Sequence, residues 1–311
     1  MHTGLSHLAA LVCATAVGFT GFGAKAAPDD PSNDDRPGRS GSALHWRSEW
    51  TEFQDWEYIV IAGSVTTNVI SAIIGPQKPS LFPTPPGFDE SFRDFLRPSS
   101  LGNRQLARDL SDVLVTVVST YPTVGDGFIN AAWYRQSPEV AKQLIWMNLE
   151  VAAVTAALTS VTKSVVGRER PFGRTCGTEL SEDTSDCEGR GRFASHFSGH
   201  TSASFAAASA TCMHHQYLPL WGDTPSWVPC VVGYSAAAAT GLLRIAADVH
   251  YLTDVGVGAV VGTGVGLLIP WLHYRPGGTA ARDSDSVLGW MQRHQVSVVP
   301  APGGVSISGA F

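Results

Sequence analysis

Arg244, Asp248, His250 and Asp254 interrupt the stretch RIAADVHYLTD, which is otherwise apolar and lies in Ala- and Gly-rich sequence. Charges in such a setting need a reason. At i and i+4 of a helix His250 and Asp254 share a face, so the carboxylate can fix the tautomer of a basic or nucleophilic imidazole. Arg244 lies earlier, roughly 120° off that face if one helix runs through both. Gathering all three on one anion requires a bend over Ile245 to Val249, with Arg244 ending one helix and His250 opening the next. Asp248 then becomes a loop or capping residue. A buried ion pair around a satisfied core histidine is the alternative that this stretch alone leaves open.

Two earlier stretches carry chemistry of the same kind. In KSVVGRERP, Lys163 and Arg170 are about two helical turns apart and return to one face, where they can grip opposite sides of an anion. Gly167 is placed to break that helix and Pro171 to stop it, while Arg168 and Glu169 read as a solvated pair. The bland account is a basic helix C-terminus. In HFSGH, Ser198 can cap a helix starting at Thr201, whose free N–H groups bind an anion. Gly199 lets the backbone approach a ligand, and His200 stands where a proton donor to that anion is useful. An ordinary helix cap is the default for this motif by itself.

Together and in order, the three stretches resemble the type 2 phosphatidic acid phosphatase superfamily, which includes bacterial nonspecific acid phosphatases and vanadium haloperoxidases. The family pattern of Lys, six residues, Arg-Pro, then Pro-Ser-Gly-His, then Ser-Arg, five residues, His, three residues, Asp is met at Lys163, Arg170 and Pro171, at Ser198, Gly199 and His200, and at Arg244, His250 and Asp254. Phe197 stands for the Pro and Leu243 for the Ser, and neither change removes a titratable group. The resemblance spans roughly Trp146 to Trp271. It implies a phosphatase for phosphate monoesters, either lipid phosphates or small phosphomonoesters. His250 would be the nucleophile, Asp254 its orienting partner and His200 the proton donor. Lys163, Arg170, Ser198, Gly199 and Arg244 would hold the phosphate. No metal or other cofactor is implied. The alternative within the superfamily is a haloperoxidase holding vanadate in the same cradle.

The elements that must position these residues read as an all-α bundle of about six core helices. Apolar helical segments occur at Tyr58–Gly75, Asp109–Val118, Pro138–Thr162, from Thr201, at Val228–Leu243 and at Thr253–Trp271. HWRSEWTEFQDWEY sets Trp46, Trp50, Phe53 and Trp56 at helical spacing, as an amphipathic helix covering the core would. VSVVPAPGGVSISGAF suggests a short C-terminal β-hairpin. The organisation expected is a signal peptide over 1–26 ending in Ala24-Lys25-Ala26, a disordered linker over 27–43, a helical extension over 44–108, the core over 109–275 and a tail over 276–311.

With 15% charged and 44% hydrophobic residues, the composition lies between a soluble helical protein and a membrane protein. The net charge of -6 and the lack of basic runs argue against nucleic acid. Once Cys13 leaves with the signal, Cys176, Cys187, Cys212 and Cys230 suggest two disulfides, the sequential pairing closing the shortest loops. The apolar segments are marginal in length for a bilayer, and Glu150 sits inside one. If all six spanned after signal cleavage, the Cys176–Cys187 loop would fall in the cytosol. The expectation is therefore an exported, soluble or peripherally attached enzyme, with an integral protein of about six helices as the alternative.

Overall fold

The computed structural model describes residues 43–76, 80–81 and 85–275, with the backbone of 297–301 and 304–308. The export signal, nearly all of the linker and most of the tail lie outside the described residues. The long helices are α1 (Asp55–Ile74), α3 (Leu101–Tyr121), α4 (Pro138–Val166), α5 (Gly199–Tyr217), α6 (Trp227–Ala246) and α7 (Leu252–Tyr274), with a shorter α2 (Gly87–Leu96) before α3. The fold is the expected all-α bundle. Strands β1 (Ser297–Ala301) and β2 (Gly304–Ser308) pair antiparallel, Ser297 opposite Ser308 and Ala301 opposite Gly304, which gives the hairpin.

Local chemistry sets the helix ends. Ser100 accepts a hydrogen bond from the Asn103 N–H and caps α3. Pro138 opens α4, where its missing N–H costs nothing. Gly167 ends α4 in the left-handed region, at φ 60, with its N–H on the Lys163 carbonyl. After α3 the chain continues as a π-helix over Pro122–Tyr134, a segment without an expectation from sequence. The Pro122 carbonyl accepts from Asn148 Nδ2 of α4 at 3.0 Å, so tertiary contact satisfies a backbone group there.

The aromatic stretch does cover the core, but not as a helix. Residues 51–54 are not helical, Gln54 being extended, and α1 begins only at Asp55. The reason lies in where the backbone bonds go. The N–H of Leu44 donates to Ser137 Oγ at 2.8 Å, that of Thr51 to the His273 carbonyl at 2.9 Å, and that of Phe53 to Gln143 Oε1 at 2.7 Å. Groups held by α4, α7 and the turn before α4 cannot also close helical turns. Trp46 and Trp50 instead lie against Tyr274, with ring centroids 5.5 and 5.0 Å away.

Helices α5 and α7 meet backbone to backbone. A Cβ on Gly258 would stand 2.8 Å from the Ser198 carbonyl oxygen, and one on Gly262 or Gly266 would collide with the Ser202 or Ala206 carbonyl. Small residues every fourth position let two helices approach this closely. Gly262→Ala should therefore push the helices apart and cost about 1–3 kcal/mol, the usual penalty for overpacking. A fall in the thermal midpoint in detergent, against no change for Gly264→Ala, which meets open space, would check this.

Two disulfides, Cys176–Cys187 and Cys212–Cys230, form the sequential pairing. The first pins the loop that joins α4 to α5.

Candidate active site

A bend between Arg244 and His250 is present, but it lies later than expected: α6 ends at Ala246 and α7 starts at Leu252, so His250 precedes the helix that carries Asp254 and does not open it. Asp248 turns the chain at φ 62, a left-handed conformation that Asp tolerates better than most side chains. It does more than close a loop. Buried at 1% exposure, its carboxylate accepts from Arg93 Nε at 2.5 Å, Arg93 Nη2 at 3.0 Å and Arg97 Nε at 2.8 Å, with Arg104 Nη1 at 3.5 Å. Arginines from α2, its C-terminal cap and α3 thus anchor the bend. The sequence signal was the basic spacing of Arg93, Arg97 and Arg104 in what reads as a polar connector.

Around this bend the expected residues converge. Lys163 sits in the last turn of α4, Arg170 just beyond it, Gly199 and His200 in the first turn of α5, and Arg244 in the last turn of α6. A Cβ on Gly199 would press on Lys163 Nζ at 3.3 Å and Thr159 Cγ2 at 3.2 Å, so a larger residue would have to displace the lysine by a few tenths of an ångström. Ser198 caps α5, its Oγ accepting from the Thr201 N–H at 3.4 Å and Thr201 Oγ1 at 2.9 Å. Lys163 lies within electrostatic reach of Arg170 and Arg244, His250 of both arginines, and His200 of Arg244 and Lys163. Among the described residues neither the Lys163 ammonium nor the Arg170 guanidinium has a hydrogen-bonded or ion-paired anion, and Arg170 Nε and Arg244 Nε are buried without an acceptor. Such crowding of like charge is costly without an anion to share.

Asp254 stands 3.7 Å from His250 Nδ1, longer than a hydrogen bond, and that nitrogen has no partner. Its oxygens are taken by Arg168 Nη1 at 2.7 Å, Ser195 Oγ at 2.6 Å, the Tyr251 N–H at 2.9 Å and His196 Nδ1 at 3.1 Å. Arg168 is therefore not half of a solvated pair. It is 5% exposed, bonds Asp254 and Thr253, reaches Asp89 of α2 at 2.8 Å and lies 4.5 Å from the Tyr251 ring. Glu169 pairs with Arg192 instead, at 2.6 Å. Adjacent opposite charges in a sequence suggest mutual solvation, but the turn after Gly167 sends these two side chains to different partners.

Asp112 of α3 is the residue nearest the chemistry that the sequence did not disclose. One oxygen, Oδ1, meets His200 Nε2 at 2.7 Å and Arg244 Nη1 at 2.9 Å, and Arg244 also donates to Ser111 Oγ at 3.0 Å. The Asp112 side chain is half exposed, so an incoming anion can replace it. Nothing in its neighbourhood, DLSDV, marks it apart from Asp109.

Burial, chiefly, holds the His250 imidazole well below the ordinary histidine pKa, with Arg170 and Arg244 adding to the effect and Asp254 opposing it. The ring is therefore neutral, with a nitrogen lone pair to offer. Burial also lowers His200, against the pull of Asp112. An anion bound among these groups would draw a proton onto it. A neutral imidazole, three cations, a helix start and a second histidine can together hold a tetrahedral oxyanion, attack it and protonate its leaving group.

Residues 144–277 match the model of the PAP2 superfamily. A lipid A 1-phosphatase of Porphyromonas gingivalis is 41% identical over 78 residues, 25% of this chain. The matched stretch covers 16% of that protein's length. No solved structure matches. The three motifs fall within this matched span, which is similar to the PAP2 superfamily.

Proposed function

We propose that the chain is a phosphatase of lipid phosphate monoesters that works through a phosphohistidine on His250. That Lys163 and Arg170 have no hydrogen-bonded or ion-paired anion among the described residues, beside a neutral, buried His250, carries this reading. The phosphate would take the place of the Asp112 carboxylate between Arg244 and His200, its remaining oxygens on Lys163, Arg170 and the Gly199 N–H. His250 attacks phosphorus as the ester P–O bond breaks, and His200 gives its proton to the leaving alkoxide. Water then attacks phosphorus, forming inorganic phosphate as the P–N bond breaks and the electron pair returns to His250, and its proton passes to His200. The cations hold the charge that develops on the equatorial oxygens. No step calls for a metal at this centre. Purified protein should release inorganic phosphate from a lipid phosphate in mixed micelles. Halide oxidation with vanadate and peroxide, in place of that release, would overturn the assignment.

Lipid is favoured because the bundle is apolar outside. Helices α1, α4, α6 and α7 are long and apolar enough to cross a membrane. Outward-facing side chains include Ile73 of α1, Val113 of α3, Trp133 of the π-helix, Val232 of α6 and Val260 of α7, each more than half exposed. Glu150, the charge that argued against a span, is buried inside at 5% exposure, where ionisable groups of membrane helices belong. These observations favour the integral alternative over the soluble form. Retention of the protein in membranes through a carbonate wash is expected, and release into the supernatant would count against embedding.

If phosphate displaces Asp112, neutralising that side chain should help the anion bind. Asp112→Asn should lower the inhibition constant of inorganic phosphate roughly two- to fivefold, the scale of an exposed ion pair. Competitive inhibition assays check this, and weaker phosphate binding in the variant would place Asp112 outside the anion's path.

A further inference from the structure

Glu57 at the start of α1, Glu150 in the middle of α4 and His273 at the end of α7 form a second polar cluster, distant along α4 and α7 from the active-site residues. All three are buried, at 5%, 5% and 2% exposure, and one ligand-type atom from each lies within 4.8 Å of the others. His273 Nδ1 is turned to the Thr51 carbonyl at 3.1 Å. A backbone carbonyl only accepts, so that nitrogen carries the proton, and in the neutral ring Nε2 presents its lone pair to the cluster. Facing it at 3.0 Å is Glu57 Oε1, also an acceptor, while the other Glu57 oxygen accepts the Gln54 N–H. Glu150 Oε2 is buried without any partner. With the ring neutral and both carboxylates ionised, two carboxylates and an imidazole lone pair thus meet with no donor between them.

We infer that these three side chains bind a divalent transition-metal ion of the zinc type. Imidazole nitrogen with carboxylate oxygen suits such ions, whereas calcium and magnesium take oxygen sets. Two carboxylates balance the charge of the ion, and the Thr51 carbonyl is the kind of outer partner that orients a ligating histidine. Ligand bonds of about 2.0–2.2 Å require the three donors to close in by roughly an ångström, within reach of a glutamate side chain. The ion would fasten α1, α4 and α7 beneath the Trp46–Phe53 cover, whose Phe53 ring stacks on His273 at 6.0 Å. Its role is structural, and it stands independently of the phosphatase reading.

The test uses full-length protein without a histidine tag, purified in detergent, stripped with chelator and titrated with Zn2+, with Mn2+ as competitor. About one tightly held ion per chain by elemental analysis, with a rise in thermal midpoint that chelator reverses, is expected. Glu150→Gln and Glu57→Gln should lose both the ion and the chelator-sensitive rise, while His250→Ala keeps them. Should the glutamine variants fail to fold, Co2+ bound to the wild type should give the visible absorption of a low-coordinate nitrogen and oxygen site. A wild type that holds neither Zn2+ nor Mn2+, or a Glu150→Gln protein that binds Zn2+ as well as the wild type, would overturn the inference. In either case the cluster would be a proton-sharing one.

Discussion

His250→Ala should release no phosphate from a lipid phosphate, with turnover down by on the order of a million-fold, the scale of losing a covalent nucleophile. Ala leaves the arginines, Lys163 and the α5 start in place, so the variant should still bind inorganic phosphate. That separates loss of chemistry from loss of the site. His200→Ala gives the complementary pattern. A proton donor is worth roughly 10^2–10^4-fold when the leaving group is an alkoxide, but p-nitrophenolate leaves without help. The His200 variant should therefore be much better preserved on p-nitrophenyl phosphate than on a lipid substrate, and it should accumulate phosphorylated enzyme, trapped by a denaturing alkaline quench that leaves the P–N bond intact. Substantial turnover of either substrate by His250→Ala would end the phosphohistidine proposal.

Arg168→Met is expected to be the most damaging substitution outside the phosphate cradle. The guanidinium bonds both Asp254 and Asp89, each fully buried, at 2.7 and 2.8 Å. Met fills much of the volume but leaves two carboxylates without their cation. Removing one partner from a buried ion pair costs about 3–5 kcal/mol, against a total stability of about 5–15 kcal/mol for a typical domain. Thermal unfolding should show a large fall in midpoint. Asp89→Asn in the same protein should recover part of it, because one of the two stranded charges is gone. Glu169→Gln, next door, should change stability by less than about 0.5 kcal/mol, as surface substitutions usually do. Equal effects of the two substitutions would contradict the bridging role.

The helices were legible because apolar runs and their breakers, Gly167 and the Pro-rich segment after α1, act locally. Residues of the three motifs were legible because their spacing repeats a family pattern, and the structure brings them around one bend. What sequence did not disclose is set by contacts between distant segments. Arg168 looked paired with its neighbour, and only the turn after α4 directs it to Asp254 and Asp89. Asp112 had no local mark, since its meaning comes from α3 lying beside the starts and ends of α5 and α6. The aromatic stretch before α1 carried a true helical period yet lost its backbone bonds to α4 and α7. Glu150 looked like an obstacle to embedding until its side chain was seen to point inward.

The glycine contacts between α5 and α7 bear on how such an enzyme can change its substrate. Main-chain atoms, rather than exchangeable side chains, fix how far the helix that carries His200 in its first turn lies from the one that follows His250. His200 and His250, the proposed proton donor and nucleophile, are in effect mounted on a single rigid block. Substitution can reshape what surrounds that block, the disulfide-pinned loop over 172–197 and the outward faces of α1, α4 and α6, without altering the interval between the two histidines. New specificity can thus be acquired at the rim while the reaction coordinate stays constant.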